Sequence, residues 1–295
     1  MNEFTATEIL SKEDIRMLRT PSNIRASISL LFNWLLIAFG FALFILWPNP
    51  LSFIVGTIII GGRQLGLGVL THDCTHNALF STLKLNNIIG HWLCGMPMNI
   101  SVYDYRAQHM KHHRYAGTEN DPDIVFVEKY PVAKDSLKRK LTRDITGRTG
   151  LRDTLYKFKT FKLSKNYPWL VFHVLLISIL FAAGAPSAYL MWWLAELTLY
   201  PLVVRIRQIG EHGVAVDRTS LDPRLNTGTT IPSWWEKLLL APNHVYYHVE
   251  HHQYANVPPY NLAKLHKLLS DSGYYKGHNC ISHGYFDVLR RAVQA

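Results

Sequence analysis

Cysteine is scarce in this sequence and charge is thin. The three cysteines, Cys74, Cys94 and Cys280, are odd in number and form no Cys-x-x-Cys pair. That gives no sign of a disulfide framework and suggests free thiols in a reducing compartment, although Cys74, inside a histidine cluster, has a side chain able to bind metal. Charged residues make up 18% of the 295, against 48% hydrophobic, which is less charge than soluble domains usually carry. The first 25 residues are polar and mixed in charge, so no cleavable signal is expected there. The net charge of +10 comes with no nucleic-acid-binding motif. The His-Glu-x-x-His signature of zinc hydrolases is missing too, since position 73 is Asp.

Long uncharged runs fill the gaps. Residues 26–47 carry no charge, Pro48-Asn49-Pro50 turns the chain, and 51–71 returns with Arg63 as its only charged residue. A third run at 169–183 is short for a span of about 30 Å, so it is expected to start earlier, giving roughly 167–184. After Gly184-Ala185-Pro186 the chain returns over 187–204 with only Glu196 charged, giving a span of roughly 187–206. The expected fold is all-α and integral to the membrane, one domain over 1–295: four transmembrane helices in two hairpins, under a helical cap from 72–166 and 207–295. Neither short turn holds Lys or Arg, whereas Lys12, Arg16, Arg19 and Arg25 precede the first span. Both termini and the cap are therefore expected on the cytoplasmic side, where a basic face meets anionic lipid.

Some details follow from the same setting. Residues 85–100 are too short and polar for a span and read as an interfacial or re-entrant piece, and the charge-dense stretch 129–162 reads as a solvated helix or loop. Arg63 and Glu196 are costly in a bilayer, which marks them as functional candidates or as partners of each other. Trp192, Trp193, Trp234 and Trp235 read as interfacial anchors.

Against this background the histidines stand out. His72 and His76, then His109, His112 and His113, then His248, His251 and His252 form three clusters, joined by His212. On a helix, residues three and four apart share a face, and adjacent ones diverge by about 100°. Each His-x-x-His-His cluster can therefore send its paired imidazoles to two neighbouring metals. Nine imidazoles are too many for one metal and suit two. All lie beyond the ends of the apolar runs, which argues against a metal transporter, whose ligands sit at mid-membrane. Cys74 should point away from the metals. Among the other histidines, His244, four before His248, reads as the best spare ligand, and His91, His173, His266, His278 and His283 read as structural.

These residues resemble the membrane fatty acid desaturase superfamily, with its related hydroxylases and carotenoid ketolases. The resemblance rests on His-Asp-Cys-Thr-His at 72–76, His-Met-Lys-His-His at 109–113, Glu-His-Gly at 211–213 and the segment 247–266, which places a Val-Pro and an Asn-Leu-x-x-Leu-His run after the third cluster. It implies a mushroom-like shape and two ferrous ions acting with dioxygen. One iron would be held by His112, His212, His248 and His252, the other by His72, His76, His109, His113 and His251. It further implies a lipid or fatty acyl substrate, desaturated or alternatively hydroxylated or oxidised to a ketone. No His-Pro-Gly-Gly of a fused cytochrome b5 domain is present, so a separate donor of ferredoxin or cytochrome b5 type is expected. Gln208 stands where related acyl-CoA enzymes have an asparagine reaching a metal-bound water, and residues 117–123 resemble carotenoid ketolases. Asp73, Asp123 and Glu250 are the carboxylates expected to orient ligand imidazoles from behind.

Overall fold

The structure is a computed structural model and describes residues 9–294. Four helices are long and apolar enough to cross a membrane: Asn23–Leu46, Pro50–Thr75, Leu163–Ala182 and Pro186–Gly213. The turn between the first two is set by local chemistry. The Asn49 side chain accepts hydrogen bonds from the Leu51 and Ser52 amides, Ser52 Oγ accepts from the Asn49 amide, and Pro50 fills the first helical position, where an amide proton would have no partner.

The first and third long helices expose Ile28, Leu31, Leu35, Val174, Leu175 and Phe181. Such rows are stable when hydrocarbon rather than water covers them. The second is the enclosed one, with every residue over 60–75 buried except Gly68. Small residues let it approach its neighbours: a Cβ on Gly40 would lie 3.0 Å from Gly56 O, and one on Gly66 would overlap the Asn33 side chain. Asn33 Nδ2 donates to Arg63 O at 3.2 Å across the same contact.

Both helices that reach the histidines outrun the lengths read from hydropathy. The second continues through Thr75, so His72 lies on it and His76 caps it. The fourth continues past 206 to Gly213 through two π-helical turns, Ala195–Leu199 and Ile209–Gly213, and carries His212. Hydropathy marks where the apolar composition stops, whereas backbone hydrogen bonding continues into the polar sequence beyond it.

Several expectations are corrected. The stretch 129–162 is not simply solvated: it forms helices Lys134–Ile145 and Arg148–Lys159, whose Leu137, Asp144, Thr149, Gly150 and Thr154 are buried. These helices lean on the fourth long helix through an Arg205–Asp144 ion pair and a Lys157–Glu196 pair at 2.9 Å. Arg63 and Glu196 are therefore not partners of each other. Arg63 donates instead to the Leu238 carbonyl. Trp192 is fully buried and is no interfacial anchor, whereas Trp234 and Trp235 are exposed.

The segment near 85–100 folds as Leu83–Ile89, a π-helical Gly90–Gly95 and a short turn at Met96–Met98. It buries Cys94, Met96 and Met98 while exposing Trp92 and Leu93. Among the described residues the β-structure is a two-residue parallel pairing of Thr229–Thr230 with Ile281–Ser282 and an isolated bridge between Val132 and Val293, so the fold is mostly rather than wholly α. A core of Val249, Tyr254, Leu265, Leu269 and Tyr275 supports the third histidine cluster from beneath.

Candidate metal centre

Four elements deliver the nine histidines. His72 and His76 come from the end of the second long helix, His109, His112 and His113 from the helix Val102–Tyr115, His212 from the last turn of the fourth long helix, and His248, His251 and His252 from His248–Gln253. Their ring nitrogens fall into two groups, each with its ligand atoms within 4.8 Å of one another: His72, His76, His109, His113 and His251 in one, His112, His212, His248 and His252 in the other. The groups adjoin, since the rings of His113 and His252 stack 4.4 Å apart. Cys74 belongs to neither and packs against Gly90.

Within each group Nε2 atoms face Nε2 atoms. The separations are 3.1 Å for His109–His113, 3.0 Å for His113–His251, 2.9 Å for His212–His248, 3.1 Å for His248–His252 and 3.3 Å for His112–His252. Three Nδ1 atoms are engaged from behind: His72 with Asp73 at 3.0 Å, His112 with Asp121 at 2.8 Å and His212 with the Asn226 carbonyl at 3.2 Å. Those acceptors hold the proton on Nδ1 and turn a bare Nε2 lone pair inward. Lone pairs facing each other repel unless a cation lies between them. Two imidazoles bound at right angles to one ion, at about 2.1 Å each, place their nitrogens about 3 Å apart. The buried Nε2 atoms of His72 and His76 have no hydrogen-bond partner. The donor set fits two borderline divalent ions such as ferrous iron.

The electrostatics agree. Burial, reinforced by neighbouring imidazoles, depresses His76 to about 3 and His113 to about 2, and holds His109, His248, His251 and His252 well below the ordinary histidine range. All are neutral near pH 7, the protonation state in which imidazole binds a metal.

The supporting carboxylates differ partly from those expected. Asp73 does stand behind His72, but Asp121 rather than Asp123 is the hydrogen-bonded partner of His112, Asp123 Oδ2 being 3.8 Å away. Burial alone would raise the Asp121 carboxyl, and the His112 hydrogen bond overrides it, leaving Asp121 below the usual carboxylate range. Asp123, without that bond, is raised by burial. Glu250 touches no clustered histidine. It accepts from Tyr275 Oη and Thr229 Oγ1, each at 2.5 Å, and pairs with His266, so it braces the helix that carries the third cluster. His244 is not a spare ligand: it lies outside both groups with a left-handed backbone (φ 63°), its Nδ1 3.2 Å from Tyr246 Oη.

A cavity of about 190 Å³ opens beside His72, His112, His212 and His248 and is lined also by Tyr105, Arg207 and Gln208. A second, of about 210 Å³, shares His72, Tyr105, Arg207 and Gln208 with it and is walled by Tyr200 and Val204. A third, of about 300 Å³, shares Tyr200, Val204 and Gln208 and extends to Lys157 and Glu196. Tyr105 and Arg207 were not singled out from sequence. Tyr105 lies four before His109, and Arg207, four before Glu211, pairs with it at 2.8 Å, so helical spacing was the available signal.

The fatty acid desaturase family profile matches residues 48–284, which takes in every clustered histidine. The chain belongs to the fatty acid desaturase family. It is an oxidoreductase and a membrane protein, as the family and the four long helices together indicate. The chain is 24% identical to a dihydrorhizobitoxine desaturase of Bradyrhizobium elkanii, over 78% of this chain and 70% of that protein. It is 28% identical to a sphingolipid delta(4)-desaturase of Oryza sativa subsp. japonica, over 67% of this chain and 58% of the relative. A beta-carotene ketolase of a Paracoccus species is 30% identical over 36% of this chain and 44% of its own length.

Proposed function

We propose that this desaturase-family member is a di-iron enzyme that introduces a double bond into an aliphatic chain of a fatty acyl or similar lipid. The observation that carries this reading is the pairing of two groups of inward-facing imidazole nitrogens with a cavity at their edge. His112, His212, His248 and His252 hold one iron, and His72, His76, His109, His113 and His251 hold the other. Two ferrous ions with dioxygen supply the oxidising strength that no side chain has for an unactivated C–H bond. The substrate gives up two hydrogens, a separate donor of ferredoxin or cytochrome b5 type supplies two electrons, and with two further protons the dioxygen leaves as two waters.

The chain's own residues position and insulate. Asp73, Asp121 and the Asn226 carbonyl fix ring orientation through Nδ1. Gln208, on the cavity wall four residues before His212, is placed to hydrogen-bond a water between the histidines and the substrate. Tyr200 and Val204 steer the chain so that one methylene faces the histidines, and that positioning sets which bond reacts. The four long helices form two hairpins, with the cap and both termini cytoplasmic, in keeping with the basic residues before the first span.

A second reading, hydroxylation or ketone formation on a lipid or carotenoid, is supported by the match to the ketolase. One experiment tests both. The chain is expressed in a heterologous host with and without His112→Ala, iron is measured in the purified protein, and extracted lipids are analysed by mass spectrometry. Two irons per chain and a new lipid lighter by two hydrogens, both diminished in the variant, are expected. A product heavier by one oxygen favours the second reading. Full iron content in His112→Ala overturns the ligand assignment.

A further inference from the structure

We propose that Glu196 and Lys157 form a binding site for the substrate's head, and that this head is an uncharged hydrogen-bond donor, a hydroxyl or an amide N–H. The inference rests on the oxidoreductase reading only in naming the occupant a substrate.

Glu196 is 3% exposed, inside the fourth long helix. Its Oε1 accepts from Lys157 Nζ at 2.9 Å, and the same ammonium donates to Met98 O at 2.9 Å. Its Oε2 is buried with no partner. A buried carboxylate oxygen left unmatched is costly, so the oxygen calls for a donor from outside the protein. Glu196 also sits in the π-helical turn Ala195–Leu199, an interruption of the kind that recurs at functional sites.

The cavity in front of Glu196 communicates with the histidines, because Tyr200 and Val204 line both it and the cavity that touches His72. A chain anchored at Glu196 can therefore run past Val204 toward the metal centre. The charge of the head follows from the lining. Lys157 is matched by Glu196, Arg205 by Asp144 and Arg152 by Asp153, so each cation already has its anion. At the Glu196 end of the cavity Lys157 is already matched, so a carboxylate, phosphate or ammonium head would leave water there with no unmatched counter-charge to meet it. A hydroxyl or amide donates to Oε2 at no such cost.

The test uses the full chain in lipid nanodiscs, with empty nanodiscs subtracted. The probes are 1-dodecanol, its methyl ether, dodecanoate and dodecylamine, and saturable binding is measured for each. The alcohol is expected to bind at least about tenfold more tightly than the ether, which can accept but not donate, and more tightly than either ion. In Glu196→Gln the amide nitrogen can face the cavity, so the alcohol's advantage over the ether should collapse to near unity. In Val204→Phe, which narrows the passage without touching Glu196, dodecanol should weaken while 1-hexanol is retained. Equal binding of alcohol and ether by the unmodified chain overturns the site and assigns the Glu196 oxygen to a fixed water. An advantage that survives in Glu196→Gln overturns it as well. Iron content of the same preparations separates the two proposals: two irons without alcohol preference rejects only the head site, and alcohol preference without iron rejects only the di-iron reading.

Discussion

Asp121 Oδ1 lies 2.8 Å from His112 Nδ1, and the same oxygen accepts the Asp123 amide at 2.9 Å. One carboxylate oxygen therefore both orients a histidine of the four-membered group and ties down the loop that follows its helix.

Removing that charge while keeping the shape should loosen the metal. Asp121→Asn is expected to lower iron affinity about 10- to 100-fold, the range seen when a group behind a ligand histidine is altered. Titration of the metal-free protein with ferrous iron against a competing chelator reads it out. Asp123→Asn, 3.8 Å from the ring, should change affinity much less.

Acid should unfold the metal-free protein early. Histidines held near 3 and 2, such as His76 and His113, stay neutral when folded, whereas an unfolded histidine gains its proton near 6.5. The unfolded state thus binds more protons below pH 6.5. Stability is complete above that value and falls as pH drops toward 3, by up to about 1.4 kcal/mol per pH unit for each such histidine. Thermal unfolding of iron-free protein between pH 8 and 5 should show the midpoint holding steady and then dropping below about pH 6.5. A midpoint that rises with acid would contradict neutral, buried imidazoles.

Gly56→Leu should split the first two long helices. Any Cβ there would overlap Gly40 O and lie 2.5 Å from Met191 Cε, so the helices must separate. Overpacking of this kind costs about 1–3 kcal/mol or more. The detergent-solubilised variant should melt well below the parent, whereas Ile54→Leu, at an exposed position on the same helix, should not.

How far the fold and site could be read from sequence depended on range. Helical spacing links His109 with His112 and His113 locally, so the grouping of those rings onto one face was legible, as were the four apolar helices. Contacts between distant segments were not. Asp121 and Asp123 are equivalent two-residue neighbours in sequence, and only the turn after Tyr115 decides which meets His112. Glu250 sits inside the third cluster yet faces away, because Thr229, Tyr275 and His266, from segments up to 25 residues off, receive it on the other side. Trp192 is indistinguishable by composition from an interfacial tryptophan, and its burial comes from packing among Ile37, Phe172 and Met191. Lys157 lies in what reads as a solvated charge run, and its meaning appears only once Glu196 is found beside it.

The π-helical turn Ile209–Gly213 gives His212 an unusual vulnerability. A π turn accommodates one residue more than an α turn closing the same gap. Rewinding the same residues as a regular α-helix would swing the imidazole by most of the roughly 100° that one residue spans. The four-membered group would then lose a member without any change to a ligand. The winding of the helix, as much as residue identity, determines whether this chain can assemble its four-histidine group.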